Sequence, residues 1–261
     1  MSSETPTLES PVSPPADLWT IPPERMPNLE GLITEDRVPV DNPFAEKLHR
    51  LLTHPLYASW TPPEGQPFLA LANVGLFFQA RNPALAPDVM LSLGVQFEGD
   101  LFRRENRSYF VWELGKVPDV IIEIVSDRRG GEEHYKHDRY ANIGVPYYVI
   151  FDPQNLLRQG VLRAFELQGR TYRPLQEPFF PSVQLGLRLW EGTFEGVQAT
   201  WLRWCNAQGE VIPTGEERAE KAEQRAEKAE QRLIEAEKRL AEESRRRQAM
   251  EQRLRELGES F

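Results

Sequence analysis

The sequence predicts an α/β fold of the α+β kind, followed by a charged helical extension. Three observations carry the prediction. Short β-branched runs such as Val120-Ile121-Ile122 are separated by stretches of helical periodicity. Prolines and glycines punctuate the boundaries between them. From Arg218 onward the pattern changes to a seven-residue repeat of Ala, Glu, Lys, Arg and Gln.

Residues 1–30 hold seven prolines and little periodic hydrophobicity, which predicts an extended arm ahead of a domain over 31–213. Asp41-Asn42-Pro43 reads as a helix start with proline in the first turn. Phe44, Leu48, Leu51 and Leu52 follow at helical spacing, and Pro55 marks the expected end. Strands are expected over about 73–79, 88–93 and 119–126. A long polar insert with Arg103, Arg104 and Arg107 separates the last two. Residues 132–143 read as a helix that stops before Gly144, and 146–153 as a buried strand bounded by prolines. A hairpin around Gly169 and an apolar, tryptophan-rich stretch over 183–205 complete the domain.

The 261 residues, 40% of them apolar, suit one sizeable domain with appendages. No run of apolar residues is long enough to span a bilayer, so no membrane partner is expected. The N-terminus lacks the basic and apolar regions of a secretory signal. A lone Cys205 excludes an intrachain disulfide framework and a cysteine zinc cluster. These features together predict a cytoplasmic protein. The net charge of −9 argues against a protein that coats nucleic acid regardless of sequence. The charge lies mainly ahead of Gly215, since the remainder holds 12 Lys+Arg against 13 Asp+Glu.

The chemistry-bearing stretch is Pro118-Asp119-Val120-Ile121-Ile122-Glu123-Ile124-Val125-Ser126. A carboxylate inside a β-branched run is costly to bury unless a cation, a metal or hydrogen bonds compensate it. Asp119 and Glu123 are four apart on a strand, with Cα atoms roughly 13 Å apart at about 3.3 Å per residue, too far to grip one ion together. Glu123 therefore needs a partner from another strand, and Asp88 in Pro87-Asp88-Val89 is the candidate. Asp119 reads as a turn or capping residue. Helical spacing puts Glu132, Lys136 and Tyr140 on one face, where Lys136 either pairs with Glu132 at the surface or serves a phosphate site. His134 and His137 lack a companion set with zinc spacing and read as solvated helix residues.

In their order and spacing these motifs resemble the Uma-two family of the PD-(D/E)xK nuclease superfamily, over roughly residues 65–205. Asn73-Val74 to Phe78 is similar to the family's first strand and Ala86-Pro87-Asp88-Val89 to its first acidic motif. Trp112-Glu113 with Gly115 to Asp119 is similar to the lead-in to the second. Glu123-Ile124-Val125-Ser126 resembles the Glu-x-x-Ser signature. The superfamily usually places lysine two residues after the second acid. Here that position is Val125, and Lys136 matches a displaced lysine.

The resemblance implies a restriction-endonuclease-like mixed central sheet flanked by helices, and metal-dependent hydrolysis of phosphodiester bonds with DNA as substrate. Asp88 and Glu123 would hold Mg²⁺ or Mn²⁺ with a backbone carbonyl near Ile124, and Lys136 would complete the catalytic set. Ser126, Asp119, Tyr140 and Glu46 of the first helix are supporting candidates, and Arg103, Arg104 and Arg107 candidate phosphate contacts. A second reading is a catalytically inactive DNA-binding or adaptor protein on a nuclease scaffold that recruits partners through its C-terminal helix. A third, a purely structural coiled-coil scaffold, leaves the acidic strands unexplained.

The segment 214–261 reads either as a coiled coil or as a single solvated helix. Ala219, Ala222, Ala226, Ala229, Leu233, Ala236 and Leu240 alternate spacings of three and four, whereas Glu243 and Arg247 interrupt the seam. Alanines bury little area, so any homodimer is expected to rest on the folded body rather than on this helix.

Overall fold

Helix α1 (Pro43–Ser59) begins where the sequence places it, with Asn42 as N-cap accepting from the Ala45 N–H at 2.9 Å. It does not end at Pro55. The loss of one backbone bond there is outweighed by burial of Leu51, Leu52 and Leu56, and the Trp60 N–H closes the last turn on the Leu56 carbonyl at 3.2 Å. This computed structural model describes residues 42–79, 84–103, 106–126 and 131–258. The proline-rich arm, Arg104 and the connection over 127–130 lie outside the described residues.

The first strand, β1 (Phe68–Ala72), precedes the expected one. Asn73 then takes a left-handed φ of 53°, which ends the strand, and only the two residues of β2 (Leu76–Phe77) are extended in the stretch expected over 73–79. Strand β3 (Val89–Leu93) follows. The insert forms β4 (Tyr109–Phe110) and the single turn α2 (Val111–Leu114). The remaining elements are β5 (Val120–Ile124), α3 (Gly131–Ile143), β6 (Tyr147–Phe151), β7 (Leu162–Gln168), β8 (Thr171–Pro174), β9 (Phe179–Phe180), β10 (Leu185–Phe194), β11 (Val197–Cys205) and α4 (Gly215–Gly258). Glycine serves where a positive φ is needed: Gly144 (89°) ends α3 and Gly169 (67°) turns the β7–β8 hairpin.

Six strands form one sheet in the order β1-β3-β5-β6-β7-β8. Strands β5 and β6 are parallel and joined through α3; every other pair is antiparallel. The sheet is therefore mixed and central. On one face α1 and the hairpin β10–β11 pack over Val89, Leu91, Val120 and Ile122. Trp204 donates its indole N–H to the Leu52 carbonyl at 2.7 Å, and Phe44 stacks on Trp201 at 4.8 Å. The other face carries Met90, Ile121, Tyr140, Tyr148 and Ile150. His137 borders this second layer: its ring meets Tyr148, Phe165 and Tyr172 edge-on, so it is half-buried rather than fully solvated. Among the described residues no helix is long and apolar enough to cross a membrane.

The long helix is rooted by a buried guanidinium. Arg203 on β11 donates two bonds of 2.7 Å to the two carboxylate oxygens of Glu217 and one of 2.9 Å to the Ile212 carbonyl, and lies 4.8 Å from the Trp190 ring centroid. Thr214 and Glu217 form a capping box: the Glu217 N–H donates to Thr214 Oγ1 at 3.1 Å and the Thr214 N–H to Glu217 Oε2 at 2.8 Å. Arg218 donates to the Ala58 carbonyl at the end of α1. The first turn of α4 thus packs with the domain expected to stop at residue 213.

Candidate active site

Alternation along β5 decides which side chains reach the site. Val120 and Ile122 face α1, so Ile121 and Glu123 face α3. Glu123 is 8% exposed. Strand β3 pairs with β5 through Val89↔Ile122 and Met90↔Ile121, and one further step of that register sets Asp88 opposite Glu123. An Asp88 carboxylate oxygen accepts the Ile124 N–H at 2.5 Å, anchoring the acid on the backbone next to Glu123.

Helix α3 returns over this face of the sheet, and its four-residue spacing brings two donors to one carboxylate. Lys136 Nζ donates to Glu123 Oε2 at 2.7 Å and to the Ala86 carbonyl at 3.4 Å. The Tyr140 hydroxyl donates to Glu123 Oε1 at 2.7 Å. Lys136 therefore reaches the sheet, and the Glu132 side chain lies outside the described residues.

Burial, and then the neighbouring charge of Asp88, push the Glu123 carboxyl from 4.5 up to about 8, against the pull of Lys136 and Tyr140. Burial and Glu123 together hold the Tyr140 hydroxyl well above its ordinary range, so it remains a donor. Among the described residues the Lys136 ammonium lies beside the Glu123 carboxylate, with the Asp88 carboxylate alongside, an oxygen-rich arrangement of the kind a hard divalent cation takes. Among the described residues no group of three His, Cys, Asp or Glu side chains could hold an ion. Asp88 and Glu123 would need the remaining positions filled by backbone carbonyl, water and phosphate oxygens, as magnesium commonly allows.

The other candidates are dispersed. Asp119 sits at the opposite end of β5, where it accepts the Leu93 N–H at 2.7 Å and pairs with Lys116 at 2.7 Å. Lys116 also donates to the Leu93 carbonyl at 3.0 Å, so this pair fastens the loop to β3. Ser126 lines a cavity with Asn42, Phe44 and Thr200 near the α1 end. Glu46 pairs with Arg50 at 2.8 Å on α1, which covers the sheet face opposite Glu123. Arg103 and Arg107 are exposed on the insert, and Arg107 donates to the Phe102 carbonyl at 3.0 Å. Sequence reasoning missed the Ala86 carbonyl, which carries no side-chain signal, and Lys116, three residues before Asp119.

A family model, Uma2, described as "Putative restriction endonuclease", matches residues 22–194. The chain belongs to the Uma2 family. The matched span holds the sheet from β1 to β8, α3 and the cluster of Asp88, Glu123, Lys136 and Tyr140, and membership makes this a nuclease-like fold. Among solved structures, one described as a putative nuclease belonging to DUF820 from Anabaena variabilis ATCC 29413 is similar at 15% identity; the match covers 54% of this chain and 71% of that one, with a TM-score of 0.35. No curated protein matches the chain.

Proposed function

We propose that this Uma2 chain is a divalent-metal-dependent nuclease that hydrolyses phosphodiester bonds of DNA. The observation that carries the proposal is Glu123: a buried carboxylate gripped by Lys136 and Tyr140, with Asp88 anchored alongside. Asp88 and Glu123 would hold Mg²⁺ or Mn²⁺. Such an ion, when bound, polarises a phosphoryl oxygen and lowers the pKa of a coordinated water. The chain's own residues do the rest. Tyr140 fixes the Glu123 carboxylate by donating to one of its oxygens. Lys136 keeps a positive charge beside that carboxylate, where it can stabilise charge that develops on a phosphate. DNA as the substrate is supported by the family's description, and Arg103 and Arg107 are exposed cations that could meet its backbone.

One observation favours a second reading. Val125 stands where the superfamily usually has its strand lysine, and α4 offers a long exposed surface, which fits a catalytically inactive adaptor that binds partners. A cleavage assay separates the two. Single- and double-stranded DNA are incubated with the full chain and Mg²⁺ or Mn²⁺, with and without chelator, beside Glu123→Gln and Asp88→Asn. Cleavage that needs metal and is lost in both variants is the expected result. A folded wild-type chain that cuts neither substrate with either metal would move the assignment to the adaptor.

A further inference from the structure

We propose that α4 pairs with α4 of a second copy of this chain, parallel and in register. This inference does not depend on the nuclease reading. Helix α4 is exposed along its described length from Arg218 onward, including Leu233 at 60%, Leu240 at 72% and Met250 at 68%. These apolar residues lie on the alanine-rich seam, so the folded body leaves that stripe uncovered. Alanine content alone argues against the seam as an interface; the charges beside it argue for a specific one.

The seam alternates between positions 219, 226, 233, 240, 247 and 254 and positions 222, 229, 236, 243, 250 and 257, and the residue before each of the first set is arginine: Arg218, Arg225, Arg232, Arg239, Arg246 and Arg253. The residue after each of the second set is glutamate at 223, 230, 237 and 251, with Ser244 and the terminal Gly258 as the exceptions. Within one helix these charges cannot meet. Arg225 lies two residues from Glu223 and five from Glu230, and only spacings of three and four face each other. Accordingly Arg225, Arg232, Glu223, Glu230 and Glu237 make no ion pair within the chain among the described residues. Across a parallel pair, each arginine instead faces the glutamate five residues further along the other helix. Arg225 then meets Glu230, Arg232 meets Glu237 and Arg246 meets Glu251, which within its own helix also pairs with Arg247 at 3.3 Å. The arginine whose counterpart is Ser244 is Arg239, and it pairs within its own helix with Glu235 at 2.5 Å.

The same pattern excludes the alternative direction. An antiparallel pair brings arginine flank to arginine flank and glutamate flank to glutamate flank, which repels. The register follows from Glu243 and Arg247. In register Glu243 meets Glu243 and Arg247 meets Arg247, a like-charge cost confined to one place, while Leu233, Leu240 and Met250 each meet their own copy. Any slip by a heptad sets a charge against an apolar layer. The occupant that matches the flanking charges and the apolar layers is therefore this chain itself.

The test uses the full chain. Sedimentation at up to about 100 µM in low salt should show a reversible dimer that weakens as salt rises. Arg225→Glu/Arg232→Glu and Glu230→Arg/Glu237→Arg should each weaken dimerisation on the order of 10- to 100-fold, and an equimolar mixture of the two should restore it. Ala229→Cys should crosslink between copies on oxidation, whereas wild type, with only the buried Cys205, should not. Circular dichroism confirms that the variants remain helical. A monomeric full chain, charge reversals without effect, a mixture that stays monomeric, or a dimer that Ala229→Cys fails to crosslink would each overturn the proposal.

Discussion

Replacing Glu123 by Gln should stabilise the metal-free protein, by an amount that depends on pH. The carboxyl is 8% exposed and its pKa lies at about 8 instead of 4.5. Between those values the native chain holds a proton that the unfolded chain has released. Stability therefore falls as pH rises through this window, with a slope of at most about 1.4 kcal/mol per pH unit. Over the whole window the ceiling is about 5 kcal/mol, and Lys136, 2.7 Å away, reduces what is realised. Glutamine keeps both contacts, with its carbonyl accepting from Lys136 and its amide donating to Tyr140, and carries no charge. Denaturant melts of both proteins in chelator at pH 5, 6, 7, 8 and 9 would measure the difference. The wild type should lose ground steadily from pH 5 to 8 and level off above it. Mg²⁺ added at pH 8 should restore the wild type and leave Glu123→Gln unmoved. A difference that stays constant from pH 5 to 8 would refute the reasoning, because it would mean that the buried carboxylate is already compensated.

Three further outcomes are expected. Calorimetric titration with Mn²⁺ should show binding lost in Glu123→Gln but kept in Asp119→Asn, whose cost is structural, about 1–2 kcal/mol for weakened bonds to the Leu93 N–H and Lys116; equal loss in both would contradict the separation of the two acids. Tyr140→Phe removes one donor from Glu123 and should cost about 1–2 kcal/mol in metal-free melts at high pH, where the carboxylate is charged, and less near pH 5; a loss independent of pH would mean that the hydroxyl acts through packing alone. Truncation after Ala222 should leave the thermal stability of the body unchanged, whereas truncation after Thr214, or Glu217→Ala in the full chain, should cost about 3 kcal/mol by stranding the buried Arg203; equal melting temperatures for the two truncations would show that Arg203 finds water instead.

The candidate cluster of Asp88, Glu123, Lys136 and Tyr140 was legible where local pattern and chemistry coincided. An acid in a β-branched run and a Lys–Tyr pair at helical spacing both survive in the sequence as short-range signals, and the fold brings them together. Asp88 was legible because Pro-Asp-Val recurs before the next core strand. The first strand was not, since four of the five residues of Phe68-Leu69-Ala70-Leu71-Ala72 are alanine or leucine, and its strand character comes from pairing with β3 rather than from propensity. Pro55 misled for a related reason: burial outweighed a local breaker. His137 looked solvated because its aromatic neighbours come from three strands distant in sequence. The Arg203–Glu217 joint had a visible half, the Thr-x-x-Glu capping box at Thr214, but no pattern shows that the same glutamate also closes on an arginine from β11.

That joint has a mechanical consequence. Helix α4 spans 44 residues, about 66 Å at 1.5 Å per residue, and its described hold on the body lies in the first turn. It is a lever with its fulcrum at Arg203. A tilt of about 10° at that root sweeps the tip through roughly 11 Å, the width of another helix. A small change in how Arg203 seats would thus be read out, greatly enlarged, at the far end of the rod, and a load at the tip would be felt first by the strand that carries Arg203.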